Sequence, residues 1–315
     1  MNTPKVAVIV AAKNAERTIK KCVESLLALD YPNYEVIVVD DGSHDQTPHI
    51  VESYKDKIKI ITLSGVGPSS ARNSAVNQAQ AEYVAFTDSD CIVEAGWLKA
   101  LIEGFEENSA HTAACGGIQK LPDDATDFEK KVYLFMKKTG FVTEYMRTAQ
   151  AKNIIDVEHN PSCNVMYKKE ILQREGGFLE GVWPGEDVEL DYRLRKKGYR
   201  LLFSPQAIVY HYRPQKLSSF LTMMFRYGRV QGFLVRKYGI FRKMHFLPVL
   251  TIVFSLLFLS ACVWNQSLAF ALAISSCFLV LGYSLDFVVA ALFLLGGIYW
   301  NTGFVKGFLN ADTCS

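Results

Sequence analysis

The sequence lacks the motifs by which several nucleotide-binding classes are recognised. Its glycine-containing segment Ser64–Ser69 does not continue to the third glycine of a G-x-G-x-x-G dinucleotide fingerprint, and no G-x-x-x-x-G-K-[ST] phosphate-binding loop occurs. The net charge of +2 gives no reason to expect a nucleic-acid partner. Because hydrophobic residues make up 50% and charged residues 21% of the 315 residues, a disordered chain is also excluded.

Two further absences indicate a cytosolic setting for the amino-terminal part. The seven cysteines include no C-x-x-C pair and their spacings are long, which predicts reduced, buried thiols and no zinc site. The apolar run Val6–Ala12 is short and is followed at once by polar residues, unlike a secretory signal. We therefore expect this run to be a buried strand of a cytoplasmic domain.

Formal charge is absent from the whole of residues 246–285. One helix of that length would measure about 60 Å, twice a hydrocarbon core of about 30 Å, so two antiparallel spans are predicted, at about 246–264 and 267–285. A third uncharged stretch, 287–305, is a third span, a re-entrant hairpin or an interfacial helix. The alternative, a buried soluble core, is disfavoured because these segments have no polar face.

Basic and aromatic side chains alternate in residues 214–245, just before the uncharged run. This pattern is typical of amphipathic helices that lie in the headgroup region of a membrane. By the positive-inside rule, the basic residues place this end of the first span in the cytoplasm. The sequence thus predicts a multi-pass plasma-membrane protein whose domain of residues 1–213 is cytoplasmic.

Strand-like and helix-like patterns alternate through the first 120 residues. Helices are predicted to begin near Asn14, as an N-cap, and near Thr47, Pro68 and Trp97. The runs that predict strands are Val6–Ala11, Glu35–Val39, Ile58–Leu63 and Tyr83–Thr87. This order predicts an α/β fold with a largely parallel sheet covered by helices.

Two acidic pairs follow predicted strands, at the strand ends where open α/β sheets bind ligands. They are Asp40 with Asp41 and Asp88 with Asp90. Carboxylates there would repel nucleotide phosphates unless a divalent cation, Mn²⁺ or Mg²⁺, lay between them, and D-x-D offers the hard oxygen ligands such a cation prefers. A solvated turn is the alternative for a lone D-x-D, but the preceding strand and the second acidic pair favour a metal site.

Other candidate residues each have a functional and a structural interpretation. Arg72 is a candidate donor contact or forms a surface salt bridge. His211, among aromatic residues, is a third metal ligand, a phosphate contact or a structural residue. Trp183 stacks on a sugar face or packs in the core. Glu186 and Asp187 begin a predicted helix, which they could merely cap.

Three ordered segments, within about residues 5–213, resemble the family 2 glycosyltransferases. They are VAVIVAAKNAERTIKKCVESLLALDYPNYEVIVVDDGSHDQT, GPSSARNSAVNQAQAEYVAFTDSDC and PGEDVELDYRLRKKGYRLLF. The resemblance implies a GT-A fold, which is Rossmann-like, and an inverting, metal-dependent transfer from a nucleotide-diphosphate sugar, with a UDP-sugar favoured. Because Q-x-x-R-W is absent, the processive synthase pattern does not apply. FRYGRVQG and the carboxy-terminal hydrophobic segments look like membrane-bound exopolysaccharide-type transferases, whose acceptor is lipid-linked or a saccharide.

The resemblance also implies roles for single residues. Asp41 contacts the base, Asp88 and Asp90 handle the ribose and the metal-bound diphosphate, and Asp187 is the catalytic base. The resemblance assigns four further residues to the donor side, namely Ala11, Asn14, Asp40 and Arg72. It assigns to the acceptor side Trp183, Glu186 and the segment His159–Asn164. An acceptor hydroxyl must lose its proton as it attacks, so a carboxylate is needed beside it. Two alternatives stay open, a nucleotidyltransferase and a membrane scaffold that binds nucleotide sugars without turnover.

Overall fold

The structure is a computed structural model that describes residues 3–106, 111–139, 151–267, 270, 272, 275 and 282–310. The chain divides into two compact units. Among the described residues, the sheet unit comprises 3–106, 111–124 and 151–212. The helical unit comprises 125–139 and the described residues from 213 onward.

The described part of the sheet unit contains one mixed sheet, in the order β3-β2-β1-β4-β8-β6-β9-β5, with β7 paired to β9. The strands are β1 (Val6–Ala12), β2 (Tyr34–Asp41), β3 (Lys59–Leu63), β4 (Tyr83–Asp88), β5 (Cys91–Val93), β6 (Thr112–Lys120), β7 (Ile155–Asp156), β8 (Val165–Lys168) and β9 (Arg200–His211). The first four strands are parallel, as predicted. The rest of the sheet is mixed, since β8 runs antiparallel to both β4 and β6. The sequence around β8 lacks the regular strand–helix alternation from which parallel pairing follows.

Helices cover both faces of the parallel strands. The described helices are α1 (Ile19–Leu27), α2 (Thr47–Glu52), α3 (Pro68–Gln78), α4 (Trp97–Glu106), α5 (Asp127–Lys138), α6 (Lys169–Arg174), α7 (Glu186–Lys196), α8 (Leu217–Tyr238), α9 (Leu247–Trp264) and α10 (Phe287–Leu309). Val6, Val8 and Val10 of β1 pack in one core with α1 and α4. Ala7 and Ile9 pack in the other core, with α3 and α7. Burial of both faces explains why β1 is a continuous apolar run.

The parallel register brings the acidic strand ends together. In it Ala12 of β1 is paired with Asp40 of β2, and Ala11 is paired with Asp88 of β4. The predicted N-cap role of Asn14 was wrong, because α1 begins at Ile19 after Thr18. Asn14 instead has a φ of 52°, and its side-chain oxygen accepts the N–H of His44 at 2.8 Å, so it belongs to the loops beside this edge.

In the part of the helical unit that the structure describes, two helices are long and apolar enough to cross a membrane. They are Lys243–Trp264, which includes a short 3-10 turn, and Phe287–Leu309. They contain the predicted hydrophobic segments 246–264 and 287–305. The second predicted span, 267–285, lies mostly outside the described residues. Helix α8 lies within the predicted amphipathic region 214–245.

Helices α8 and α10 pack backbone against backbone through two pairs of glycines. Gly228 and Gly232 lie on one face of α8, and Gly303 and Gly307 lie on one face of α10, each pair spaced by four residues. A Cβ atom added to Gly303 would lie 2.1 Å from the carbonyl oxygen of Phe225. At Gly232 it would lie 2.0 Å from the carbonyl oxygen of Phe304. Close packing through pairs of small residues four positions apart also occurs between membrane helices.

We predict that Gly303→Ala lowers the stability of the full-length protein in detergent. The added methyl group cannot fit against the α8 backbone, so the overpacking should cost about 1–3 kcal/mol. The matched control is Gly297→Ala on the same helix, where a Cβ meets no atom within 4 Å. Thermal unfolding should show a lower midpoint for Gly303→Ala alone. Equal midpoints for the two variants would contradict the packing described.

Candidate active site

The acidic pair at the end of β2 is buried and bound to the neighbouring loops. The two carboxylate oxygens of Asp41 accept the N–H groups of Val66, at 2.7 Å, and Gly67, at 2.9 Å. Asp40 accepts the hydroxyl of Ser43 at 2.5 Å and its N–H at 3.2 Å. Asp41 therefore fixes the loop that leads into α3, and Asp40 fixes the turn after β2.

Arg72 of α3 joins two distant segments of the site. Its side chain is 4% exposed, with Nη1 2.6 Å from Oε1 of Glu186 and Nη2 2.7 Å from Oδ1 of Asp88. Although burial by itself lowers the pKa of Arg72, the Glu186 and Asp88 carboxylates raise that pKa overall. The predicted donor contact is thus a buried cation between two carboxylates, and the alternative of a surface salt bridge was wrong.

The first two residues of α7 are carboxylates with different surroundings. Glu186 is buried, whereas Asp187 is half-buried. Burial raises the pKa of Glu186, Arg72 opposes that rise, and the charge of Asp187 adds to it. Asp187 accepts the N–H of Ser162 at 2.9 Å and that of Val188 at 2.8 Å. These two hydrogen bonds hold the Asp187 carboxylate in place at the start of α7.

Asp191, one turn after Asp187 on α7, holds the segment that contacts Asp187. It is buried, and it accepts the N–H of Asn160 at 2.8 Å and the hydroxyl of Tyr167 at 2.9 Å. One oxygen also lies 2.9 Å from Nδ1 of His159. The sequence motifs do not single out Asp191 as a site residue. Its four-residue spacing from Asp187 places both carboxylates on one helix face, which is the signal that could have identified it.

Three of the predicted site residues form a cluster that could hold a cation. Ligand atoms of Asp88, Asp90 and His211 all lie within 4.8 Å of one another. Nε2 of His211 is 3.3 Å from Oδ1 of Asp90, and its Nδ1 is 3.3 Å from Oε1 of Gln119. Pairing of β5 with β9 places His211 opposite Cys91, next to Asp90. Two carboxylates and one imidazole suit Mn²⁺, and the oxygens also suit Mg²⁺.

The remaining predicted residues occupy the rim of the site or the nearby loops. Trp183 is 42% exposed, so the alternative of core packing was wrong. Asn14 donates its N–H to the hydroxyl oxygen of Ser43 at 2.9 Å, and Ser43 in turn donates to Asp40. Ala11 is half-buried beside Asp88 in the sheet register.

Comparison with solved structures identifies the fold. The mannosyltransferase PcManGT from Pyrobaculum calidifontis, solved with GDP-Man and Mn²⁺, matches with a TM-score of 0.71 and 20% identity over 98% of this chain and 88% of that one. GalNAc-T7, solved with UDP, GalNAc and Mn²⁺, matches with a TM-score of 0.53 and 17% identity over 68% of this chain and 44% of that one. The predicted GT-A fold is thereby confirmed.

Sequence comparison gives the family. The uncharacterized glycosyltransferase EpsJ of Bacillus subtilis strain 168 is 33% identical over 68% of this chain and 63% of its own length. The poly-β-1,6-N-acetyl-D-glucosamine synthase of Staphylococcus epidermidis is 23% identical over 71% of this chain and 54% of its own length. This chain thus spans less than two thirds of either relative. The model of the family described as glycosyl transferase family 2 matches residues 7–176, more than half of the chain. The chain belongs to glycosyl transferase family 2.

Proposed function

We propose that this protein transfers a sugar, with inversion, from a nucleotide-diphosphate sugar to a hydroxyl group of a lipid-linked or saccharide acceptor. A UDP-sugar is the favoured donor. The observation that carries the proposal is the double ion pair of Arg72, which joins Asp88 of the candidate metal cluster to Glu186, the neighbour of Asp187. A cation site and a carboxylate that can accept a proton are the two parts that such a transfer requires.

On the donor side, Asp88, Asp90 and His211 would hold Mn²⁺ or Mg²⁺. The cation supplies Lewis-acid neutralisation of the departing diphosphate when it is bound. Asp41, with Asp40, Asn14 and Ala11 nearby, would line the pocket for the base and ribose. Arg72 acts as a positioning residue, because both of its terminal nitrogens are directed to carboxylates.

On the acceptor side, Asp187 accepts the proton of the attacking hydroxyl. It is the more exposed member of the carboxylate pair that begins α7. Glu186 is held by Arg72, so its role is to orient the start of the helix and not to exchange protons. The exposed ring of Trp183 offers a flat apolar surface to a sugar. Attack and departure then occur on opposite faces of the anomeric carbon, which gives inversion.

The two long apolar helices support attachment to a membrane. Basic residues of 214–245 precede the first of them, which favours a cytoplasmic position for this end and for the sheet unit. The soluble donor would reach the site from the cytosol. A membrane position would also suit a lipid-linked acceptor, which diffuses in the same bilayer.

Replacing the proposed base tests the chemistry. Asp187→Asn should retain donor affinity but lower the transfer rate by about 10²–10⁴-fold, because the amide cannot take up the proton. Donor binding is measured by calorimetry and transfer by the rate of product formation. The matched control is Asp30→Asn, at an exposed carboxylate paired with Lys99, which should change neither quantity. If Asp187→Asn weakens donor binding as much as it slows transfer, Asp187 is not the base.

Removing the cation tests the metal cluster. Excess EDTA should abolish transfer, and Mn²⁺ or Mg²⁺ should restore it, because the carboxylates of the site would otherwise repel the diphosphate. Asp90→Ala should bind Mn²⁺ more weakly than the wild type. Electron paramagnetic resonance measures this as a higher Mn²⁺ concentration at half-maximal binding. Asp56→Ala, at an exposed aspartate, should match the wild type. Full activity in excess EDTA is incompatible with the proposed role of the cation.

A further inference from the structure

A second group of metal-binding side chains lies beside the Asp88, Asp90 and His211 cluster. The ligand atoms of Cys91, Cys163 and His211 also lie within 4.8 Å of one another. Both cysteines are buried and unbridged, with 1% and 3% exposure. His211 is common to the two groups, so one imidazole lies between a set of hard oxygen ligands and a set of soft sulfur ligands.

Three separate segments bring these side chains together. Cys91 of β5 and His211 of β9 are partners in the antiparallel register. Cys163 precedes β8, and its carbonyl oxygen accepts the hydroxyl of Thr87 at 3.0 Å. The cysteines are 72 residues apart in the sequence, far beyond the spacing of a zinc motif, which is why sequence analysis predicted no zinc site.

The spacing of the ligand atoms suits a thiophilic cation with little rearrangement. Two Zn–S bonds of about 2.3 Å at a tetrahedral angle separate their sulfurs by about 3.8 Å. The separations here are at most 4.8 Å, so binding would require the two sulfur atoms to approach each other by no more than about 1 Å. Thiolate and imidazole together select Zn²⁺ over Mn²⁺ or Mg²⁺.

We propose that Cys91, Cys163 and His211 form a second metal site that takes a thiophilic divalent cation such as Zn²⁺, and that its occupation inhibits the enzyme by withdrawing His211 from Asp88 and Asp90. Binding releases the two thiol protons to solvent, and no electrons are transferred. The cation enters past Asp90, whose side chain is 44% exposed. The binding claim stands on the geometry alone, whereas the inhibition rests on the proposed function.

Cadmium provides a direct probe, because its bonds to thiolates absorb in the ultraviolet. Full-length protein, kept reduced with a phosphine, is titrated with Cd²⁺, and Zn²⁺ is then added to displace it. Cys91→Ser and Cys163→Ser should each weaken the tight binding phase at least about tenfold, since even outer-shell changes cost 10–100-fold. The matched control is Cys115→Ser, at a buried cysteine in β6, which should bind like the wild type.

The shared imidazole is tested with bound Mn²⁺, followed by electron paramagnetic resonance. Zn²⁺ should release Mn²⁺ from the wild-type protein. At the same Zn²⁺ concentrations, Mn²⁺ should stay bound to Cys163→Ser. His211→Ala should lower the affinity of the protein for both Cd²⁺ and Mn²⁺. The second metal site is overturned if tight Cd²⁺ binding persists in both Cys91→Ser and Cys163→Ser. It is also overturned if the wild type shows no tight Cd²⁺ binding. If His211→Ala loses Mn²⁺ binding but keeps Cd²⁺ binding, His211 is not a ligand shared by the two sites. Cd²⁺ binding as predicted, in a protein that transfers no sugar, would refute the proposed function and leave the second site intact.

Discussion

The buried guanidinium of Arg72 is the interaction on which the rest of the site depends. It forms ion pairs with Asp88 at the end of β4 and with Glu186 at the start of α7, two residues far apart in the sequence. Removing one partner from a buried pair typically costs about 3–5 kcal/mol, because the other charge is left without compensation. The three side chains therefore act as one unit that fixes the strand end carrying Asp88 against the helix carrying Asp187.

Helix α7 extends this arrangement away from the ion pair. Its first turn presents Asp187 to the N–H of Ser162, and its next turn places Asp191 among Asn160, Tyr167 and His159. The segment 159–162 is thus held at two points by carboxylates of one helix face. This support suits the role of proton acceptor that we propose for Asp187, because small displacements from the reacting hydroxyl lower the rate steeply.

Much of the fold and part of the site could be predicted from the sequence. Hydrophobic runs identified the parallel strands, and parallel pairing then requires Asp40, Asp41 and Asp88 to meet at one edge. The N-cap at Asn14 failed because loop hydrogen bonds, which a local pattern does not reveal, govern that residue. The burial of Arg72, the glycine contact of α8 with α10 and the Cys91–Cys163–His211 group all depend on segments that meet only in the folded chain.

The central claim is that the sugar, and not the nucleotide, moves to the acceptor. A panel of UDP-sugars, each labelled with one isotope in the sugar and another in the α-phosphate, tests it directly in membranes containing the protein. The account predicts that the sugar label appears in the acceptor while the phosphate label stays in released nucleoside diphosphate, only with Mn²⁺ or Mg²⁺ present. Phosphate label in the acceptor would indicate a nucleotidyltransferase, and donor binding without release of either label would indicate a scaffold; each result would contradict the account.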